Sequence, residues 1–537
     1  MKIWNRVISA VCCMAFLATA AFGLVSCGDP ETDKNGNVKL TIEASGQNTS
    51  YKTTRSMTYD KDMNPYPYNT LEVLVKAWNE MNADTYGYFF SVSSTDINND
   101  RQTLIPMYDS KSAPEIHYYQ PTTIAEDQDK GYFYDLSEVM NTPNKYSKEG
   151  EAGSVAWKDI YSAEEYNTFF APNGKLFTVP MEQNPIGLLY NKTLLTAAGV
   201  TKVPTTYKEF MEAQDKLHAY AVSVGRANTS DVANYITPYY TIDSNWYDLY
   251  LEGAINSGLK EQLDVIRADG RIDAEEFVRG YQNNLFSPKS DAYAELYRLI
   301  VQMCKYYPSG NAYEAEKQFL AGNIGMIEVT GGYIHQLIDE VDGKFDLGIM
   351  PFPKLETQPS GAAKSDYYTT VKVTGNVRGG LSGYSTGWAI SNAAMARDEQ
   401  NGNTKCVDAC VDLLMYLSCY ENNDKMVNDK GFAIPLSGNT TYANFTSLAN
   451  AFKADAKKSN SIAWGATSLG GAMTKDFYDA SVLRRKSIVN ASISDRDNGT
   501  SNLNIKSELE NLYKSFSSAA NYLYRINKWD KSSWPKA

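Results

Sequence analysis

Residues 187–217 read GLLYNKTLLTAAGVTKVPTTYKEFMEAQDKL. Gly187 to Tyr190 is short, apolar and aromatic, the composition of a strand covered on both faces. Lys192 to Ala198 has the length of about two helical turns, and Gly199 stands where a helix ends in a left-handed residue. Pro204 introduces a second helix, with Thr206 and Glu209 as its capping box and Tyr207, Phe210, Met211 and Leu217 along one face. The spacing predicts a buried strand, a short elbow and a long amphipathic helix.

The same alternation runs outward on both sides. Upstream, Lys39–Ser45 alternates as a first strand. Asn69 and Glu72 then open a helix bearing Leu71, Leu74, Val75, Trp78 and Met81. Tyr88–Val92 reads as a strand, Ile97–Met107 as a helix and Pro114–Tyr119 as a third strand. Downstream, Ala221–Ser290 looks polar and irregular, an insertion, before a helix at Ala292–Tyr306. Gly322–Ile327, Phe345–Met350 and Gly387–Ser391 follow as strands, Lys405–Tyr420 as a helix, and the C-terminal third as helical and polar. Such alternation predicts an α/β protein with helices packed on mostly parallel sheets. Its persistence on both sides of Phe345 favours two lobes over one continuous sheet.

Composition bounds the function. The chain has 537 residues, 43% hydrophobic and 21% charged, enough for two or three lobes. Lys2 and Arg6 precede the apolar stretch Val7–Leu24, which ends in Leu24-Val25-Ser26-Cys27, a pattern expected of an export signal with a lipid-modified cysteine. Residues 1–26 are then a cleaved leader and 27–38 a lipidated tether. Losing two positive charges moves the net charge from −12 to −14. An acidic chain without basic clusters argues against nucleic acid. Of seven cysteines, Cys304, Cys406, Cys410 and Cys419 remain besides Cys27, and Cys406 and Cys410 read as buried small hydrophobes. A disulfide among the four stays open. No metal site and no cofactor is expected, since no histidine follows His335.

Five further stretches match one known family in its own order. APEIHYYQP (113–121), NGKLFTVPMEQNP (173–185), FLAGNIGMIEVTGGY (319–333), FDLGIMPFP (345–353) and TGWAIS (386–391) join the opening stretch. Together they resemble the family 1 extracellular solute-binding proteins of ABC importers, the group that includes maltose-binding protein. The resemblance spans about residues 39–440, while 221–290 and the far C-terminus match it poorly. It implies two discontinuous lobes, 39–182 with 351–420 and 183–350 with 421–537, hinged about a cleft. It also implies no enzymatic activity: a carbohydrate is captured by closure and passed to a membrane permease, the protein staying tethered outside the membrane through Cys27.

Carried across position by position, the family's ligand loops fall on Tyr119 and Gln120, on Glu182, Gln183 and Asn184, on Gly331, Gly332 and Tyr333, and on Tyr384. Trp246 and Trp464 are further aromatic candidates. These residue types suit a sugar: carboxylates and amides for hydroxyls, rings for C–H faces. A non-sugar solute (polyamine, phosphoester or peptide) in the same fold is the alternative. An exported glycoside hydrolase is a more distant one, because no paired acid and base falls in the matched loops.

Three motifs are expected to be coincidental. Gly383–Gly387 matches the nucleophile-elbow pattern around Ser385, but a strand follows it, and His117, His218 and His335 all precede it. Asp269–Asp273 with Glu276 resembles the end of a calcium loop, yet Val265 and Arg267 stand where its first ligands belong. Tyrosine pairs such as Tyr118-Tyr119 and Tyr239-Tyr240 would suit a ferric ion, but 39 tyrosines make pairs common.

Overall fold

The computed structural model describes residues 31–44, 70–93, 101–119, 127–167, 169–171, 173–183, 186–241, 251–268, 272–309, 314–330, 337, 340–341, 343–373, 387–430, 434–435 and 475–535. Among these, the strands are β1 (Val38–Glu43), β2 (Tyr88–Ser93), β3 (Ile116–Tyr119), β4 (Thr178–Val179), β5 (Glu182–Gln183), β6 (Ile186–Asn191), β7 (Thr237–Thr241), β8 (Ile324–Thr330), β9 (Leu347–Pro351), β10 (Gly387–Ile390) and β11 (Ile434–Pro435). They form two main sheets, β2-β1-β3-β10-β4 and β7-β8-β6-β9, and a small pair, β11-β5.

The opening stretch folds as its residues dictate. Strand β6 ends at Asn191, whose side chain accepts from the Leu194 amide and caps the helix Lys192–Ala197. Gly199 has φ +74°, a conformation that only glycine adopts without strain, so the chain turns there. Thr206 and Glu209 close a reciprocal capping box on the helix Tyr207–Ser223, which buries Tyr207, Phe210, Met211 and Leu217. Burying each such large side chain contributes about 1.5–3 kcal/mol.

Both sheets are mixed. β1 runs parallel to β2 and β3, while β10 is antiparallel to β3 and β4. In the second sheet β7 and β8 are parallel, and β6 is antiparallel to β8 and β9. The antiparallel members are the strands by which the chain enters one sheet after leaving the other.

Each sheet has its own core. The first gathers Leu40, Ile42, Trp78, Phe90, Ile116, Trp157, Trp388, Leu413, Leu417 and Met426. The second gathers Leu188, Phe210, Tyr239, Phe277, Leu299, Met326, Phe352, Phe477 and Phe516. The first core therefore extends past residue 420, through the helix Tyr420–Lys430. The second takes in Phe352 and Leu355, after which the chain stays on this lobe: Arg298 donates to the Asp366 and Tyr368 carbonyls, and the Thr370 amide donates to Glu295.

The stretch 221–290 is not an irregular insertion. It supplies β7, an edge strand of the second sheet, and the helix Ala274–Gln282, whose Phe277 and Val278 are fully buried. The helix Thr70–Tyr86 buries Leu71, Leu74, Val75 and Trp78 as expected, but Met81 points outward at 55% exposure. Among the described residues Cys304, Cys406, Cys410 and Cys419 are buried, and no disulfide joins them to one another.

Candidate functional site

Register fixes which strand ends share an edge. In the first sheet Glu43 pairs with Ser93 and His117, Tyr119 with Gly387, and Trp388 with Val179. The carboxyl ends of β1, β2, β3 and β4 and the start of β10 thus lie together. In the second sheet Ile186 pairs with Thr330, Gly187 with Pro351, and Thr241 with Glu328. There the carboxyl ends of β7, β8 and β9 meet the start of β6.

Six residues, Pro180 to Pro185, join Val179 to Ile186. At about 3.5 Å per residue the two edges lie within about 25 Å of each other. The connector is itself held: Asn423 Nδ2 donates to the Met181 carbonyl at 2.7 Å, and β5 pairs with β11 through Gln183–Ile434 and Glu182–Pro435. Two α/β sheets therefore turn the carboxyl ends of their strands toward one short crossing, the position where ligands of open sheets bind.

The backbones of Tyr119, Glu182 and Gln183 sit at this junction. Gln120, Asn184, Trp246, Gly331, Gly332, Tyr333, Tyr384 and Trp464 lie outside the described residues, as does Cys27. Position 331 directly follows Thr330 at the end of β8.

Two buried polar groups near these edges were not singled out in the sequence. Glu328 is 2% exposed and accepts from Tyr239 Oη at 3.2 Å and Thr241 Oγ1 at 2.9 Å, tying β7 to β8. A lone acid within the apolar run IGMIEVT was its only signal. His117 is fully buried, with Nδ1 3.1 Å from Tyr108 Oη. Burial pushes the imidazole down to about 4, against the smaller opposite pull of Glu43.

A pH dependence follows. Above pH ~6.5 the imidazole is neutral in both folded and unfolded chains and costs nothing. As pH falls from ~6.5 toward 4 the unfolded chain takes up a proton that the folded one refuses, and up to about 3 kcal/mol is lost. His117→Asn is expected to flatten the stability profile in that window. Denaturant melts at pH 7 and pH 4.5 check it, and a wild-type profile as flat as the variant's would contradict it.

Of the calcium-like motif, residues 269–271 lie outside the described residues, while Asp273 and Glu276 are placed. The Asp273 and Glu276 carboxylates cap the helix Ala274–Gln282 in a capping box, so the calcium-like spacing is helix-start chemistry. Ser385 lies outside the described residues, and Gly387 opens a strand.

The family profile described as bacterial extracellular solute-binding protein matches residues 74–457. The chain belongs to that family. This solute-binding protein shares its two-lobed α/β fold with several solved structures. One is a chitin oligosaccharide binding protein, 16% identical, with a TM-score of 0.55 over 90% of this chain and 99% of that one. A second is the GacH receptor of Streptomyces glaucescens, solved unliganded and with acarbose, 14% identical, with a TM-score of 0.54 over 92% and 99% of the two chains. A third is MalX from Streptococcus pneumoniae in complex with maltopentaose, 13% identical, with a TM-score of 0.53 over 89% and 100%. No curated protein matches the solute-binding protein by sequence.

Proposed function

We propose that this solute-binding protein captures a carbohydrate, an oligosaccharide, between its lobes and delivers it unaltered to an ABC permease. The observation that carries the reading is the pair of strand edges facing one crossing of six residues, with Tyr119 at the end of β3 and Glu182 and Gln183 in the crossing. The chitin oligosaccharide, acarbose and maltopentaose named for the similar structures support a carbohydrate as the ligand class.

In this reading the ligand meets Tyr119 and Gln120 from the first lobe, Glu182, Gln183 and Asn184 from the crossing, and Gly331, Gly332 and Tyr333 from the second lobe. Trp246, Tyr384 and Trp464 supply further rings. The first lobe takes residues 39–182 with those from 387 to 430, and the second 183–373 with the helices after 475. Ligand stabilises the closed arrangement because only there do both edges touch it. Cys27 carries the lipid that keeps the protein at the outer side of the membrane.

Titration with maltopentaose and with a chitin oligosaccharide is expected to give a saturable change in tryptophan fluorescence and a smaller radius of gyration by X-ray scattering. The sugar is recovered intact by chromatography. Neither signal with either sugar would defeat the carbohydrate reading, and shortened products would favour a hydrolase. Cys27→Ala is expected to release the protein from the membrane fraction of its host.

A further inference from the structure

A cavity of about 570 Å³ opens on the second lobe at the far end of its sheet, away from the edge assigned to capture. It is bordered by Asn191 at the end of β6, by Gly322 just before β8, and by Lys344 and Phe345 just before β9. That volume lies within the ~300–1,000 Å³ of small-molecule sites. We propose that this groove is a second binding site, for a neutral, hydroxyl-bearing ring compound such as a single sugar residue.

Four apolar or aromatic side chains form part of the walls, and one is firmly set. Tyr220, Leu320 and Phe345 are half-buried and Leu194 is buried. The Phe345 ring meets the fully buried Phe319 edge-on, centroids 5.6 Å apart at 90°, which fixes the face it presents. Between them lies neutral hydrogen-bonding chemistry with spare capacity. Asn191 is 3% exposed; its oxygen is committed to the helix cap, but its Nδ2 reaches the Gly322 carbonyl only at 3.5 Å. An amide nitrogen has two hydrogens, so at least one remains to donate. Thr193 Oγ1 accepts from the Asp346 amide at 3.0 Å, which leaves its own hydrogen to give.

Charge decides the class of ligand. Among the lining residues only Lys344 is ionic; it is exposed, and its Nζ donates to the Glu340 carbonyl at 3.0 Å. A cation finds no carboxylate among the lining residues and an anion finds only the exposed Lys344 ammonium, so neither charge meets a buried partner. A sugar ring has the matching two-sided character, with C–H faces for the aromatic walls and hydroxyls for Asn191 and Thr193. The walls are pre-formed, so little ordering is lost on binding.

The test uses protein labelled at leucine methyls and titrated separately with glucose, galactose and N-acetylglucosamine. Saturable shifts at Leu194 and Leu320 are expected with at least one sugar. Phe345→Ala is expected to weaken that binding roughly tenfold. Ala197→Trp fills the groove from an exposed helix position, removes nothing from the core and is expected to abolish the shifts. Silent methyls with all three sugars, or shifts that survive Ala197→Trp, overturn the proposal. Because the capture edge lies at the other end of the sheet, loss of the fluorescence response with the groove intact would indict capture alone.

Discussion

Arg485→Met is expected to destabilise the second lobe by about 3–5 kcal/mol, the usual cost of leaving one partner of a buried ion pair behind. Arg485 Nη1 lies 3.3 Å from Glu252 Oε2, and their side chains are 2% and 1% exposed. Tyr293 Oη donates to the other Glu252 oxygen at 2.7 Å. Arg485 belongs to the helix Lys475–Asn498, so the pair fastens that helix to a segment 233 residues earlier. Removing the guanidinium takes this partner from a carboxylate that is 1% exposed, where water cannot replace it. Replacing both partners, as Glu252→Gln with Arg485→Met, is expected to recover most of the loss, because paired removal leaves no lone charge. Urea unfolding of the two single variants and the double variant checks this. A single-variant loss below about 1 kcal/mol would mean that the pair behaves like a surface one.

Asp412→Ala is expected to cost the first lobe a similar amount, about 3–5 kcal/mol. Its carboxylate, 4% exposed, accepts from Trp78 Nε1 at 3.1 Å and from Tyr86 Oη, Tyr146 Oη and Lys145 Nζ. These four donors come from the helix Thr70–Tyr86 and from the chain at 145–146, so one side chain joins three separate segments. Burial, reinforced by the neighbouring carboxylate, raises both phenols well above their usual range and keeps them protonated donors. Truncation leaves an indole and two phenols without this acceptor, at about 1–3 kcal/mol for each one that stays dry. Lys145 contributes little: its side chain is 53% exposed, and Lys145→Ala is expected to cost under about 1 kcal/mol. Thermal melts of Asp412→Ala, Asp412→Asn and Lys145→Ala check the order, with Asn intermediate. Equal losses for Lys145→Ala and Asp412→Ala would show that the ion pair, rather than the neutral donors, carries the site.

What the sequence disclosed was local. The strand, cap, left-handed glycine and capping box of 187–217 each depend on residues within four positions, and all stand where their spacing put them. Long-range pairing was hidden. Strand β7 reads Thr-Pro-Tyr-Tyr-Thr, and its proline argues against a strand in a sheet interior. The second sheet admits it because β7 lies at the edge. The helix Ala274–Gln282 opens on a legible capping box, Asp273 with Glu276, which was hidden because the same acids fit the end of a calcium loop. Met81 sits in register with the buried stripe of its helix, yet the face turns away from the sheet there. For the site, Tyr119, Glu182 and Gln183 were reached through resemblance rather than pattern, since nothing in a lone tyrosine or a Glu-Gln pair announces a strand end. Glu328 could not be seen, because its partners Tyr239 and Thr241 lie almost ninety positions away.

The second core is completed by Phe477 and Phe516, far along the chain from Leu188. The first likewise waits for Trp388 and Leu413. While the polypeptide is still being threaded out of the ribosome, neither half has all its apolar partners, so neither closes early. A long unfinished interval of this kind suits an exported protein, since a chain whose cores are still open has not yet committed to its final shape.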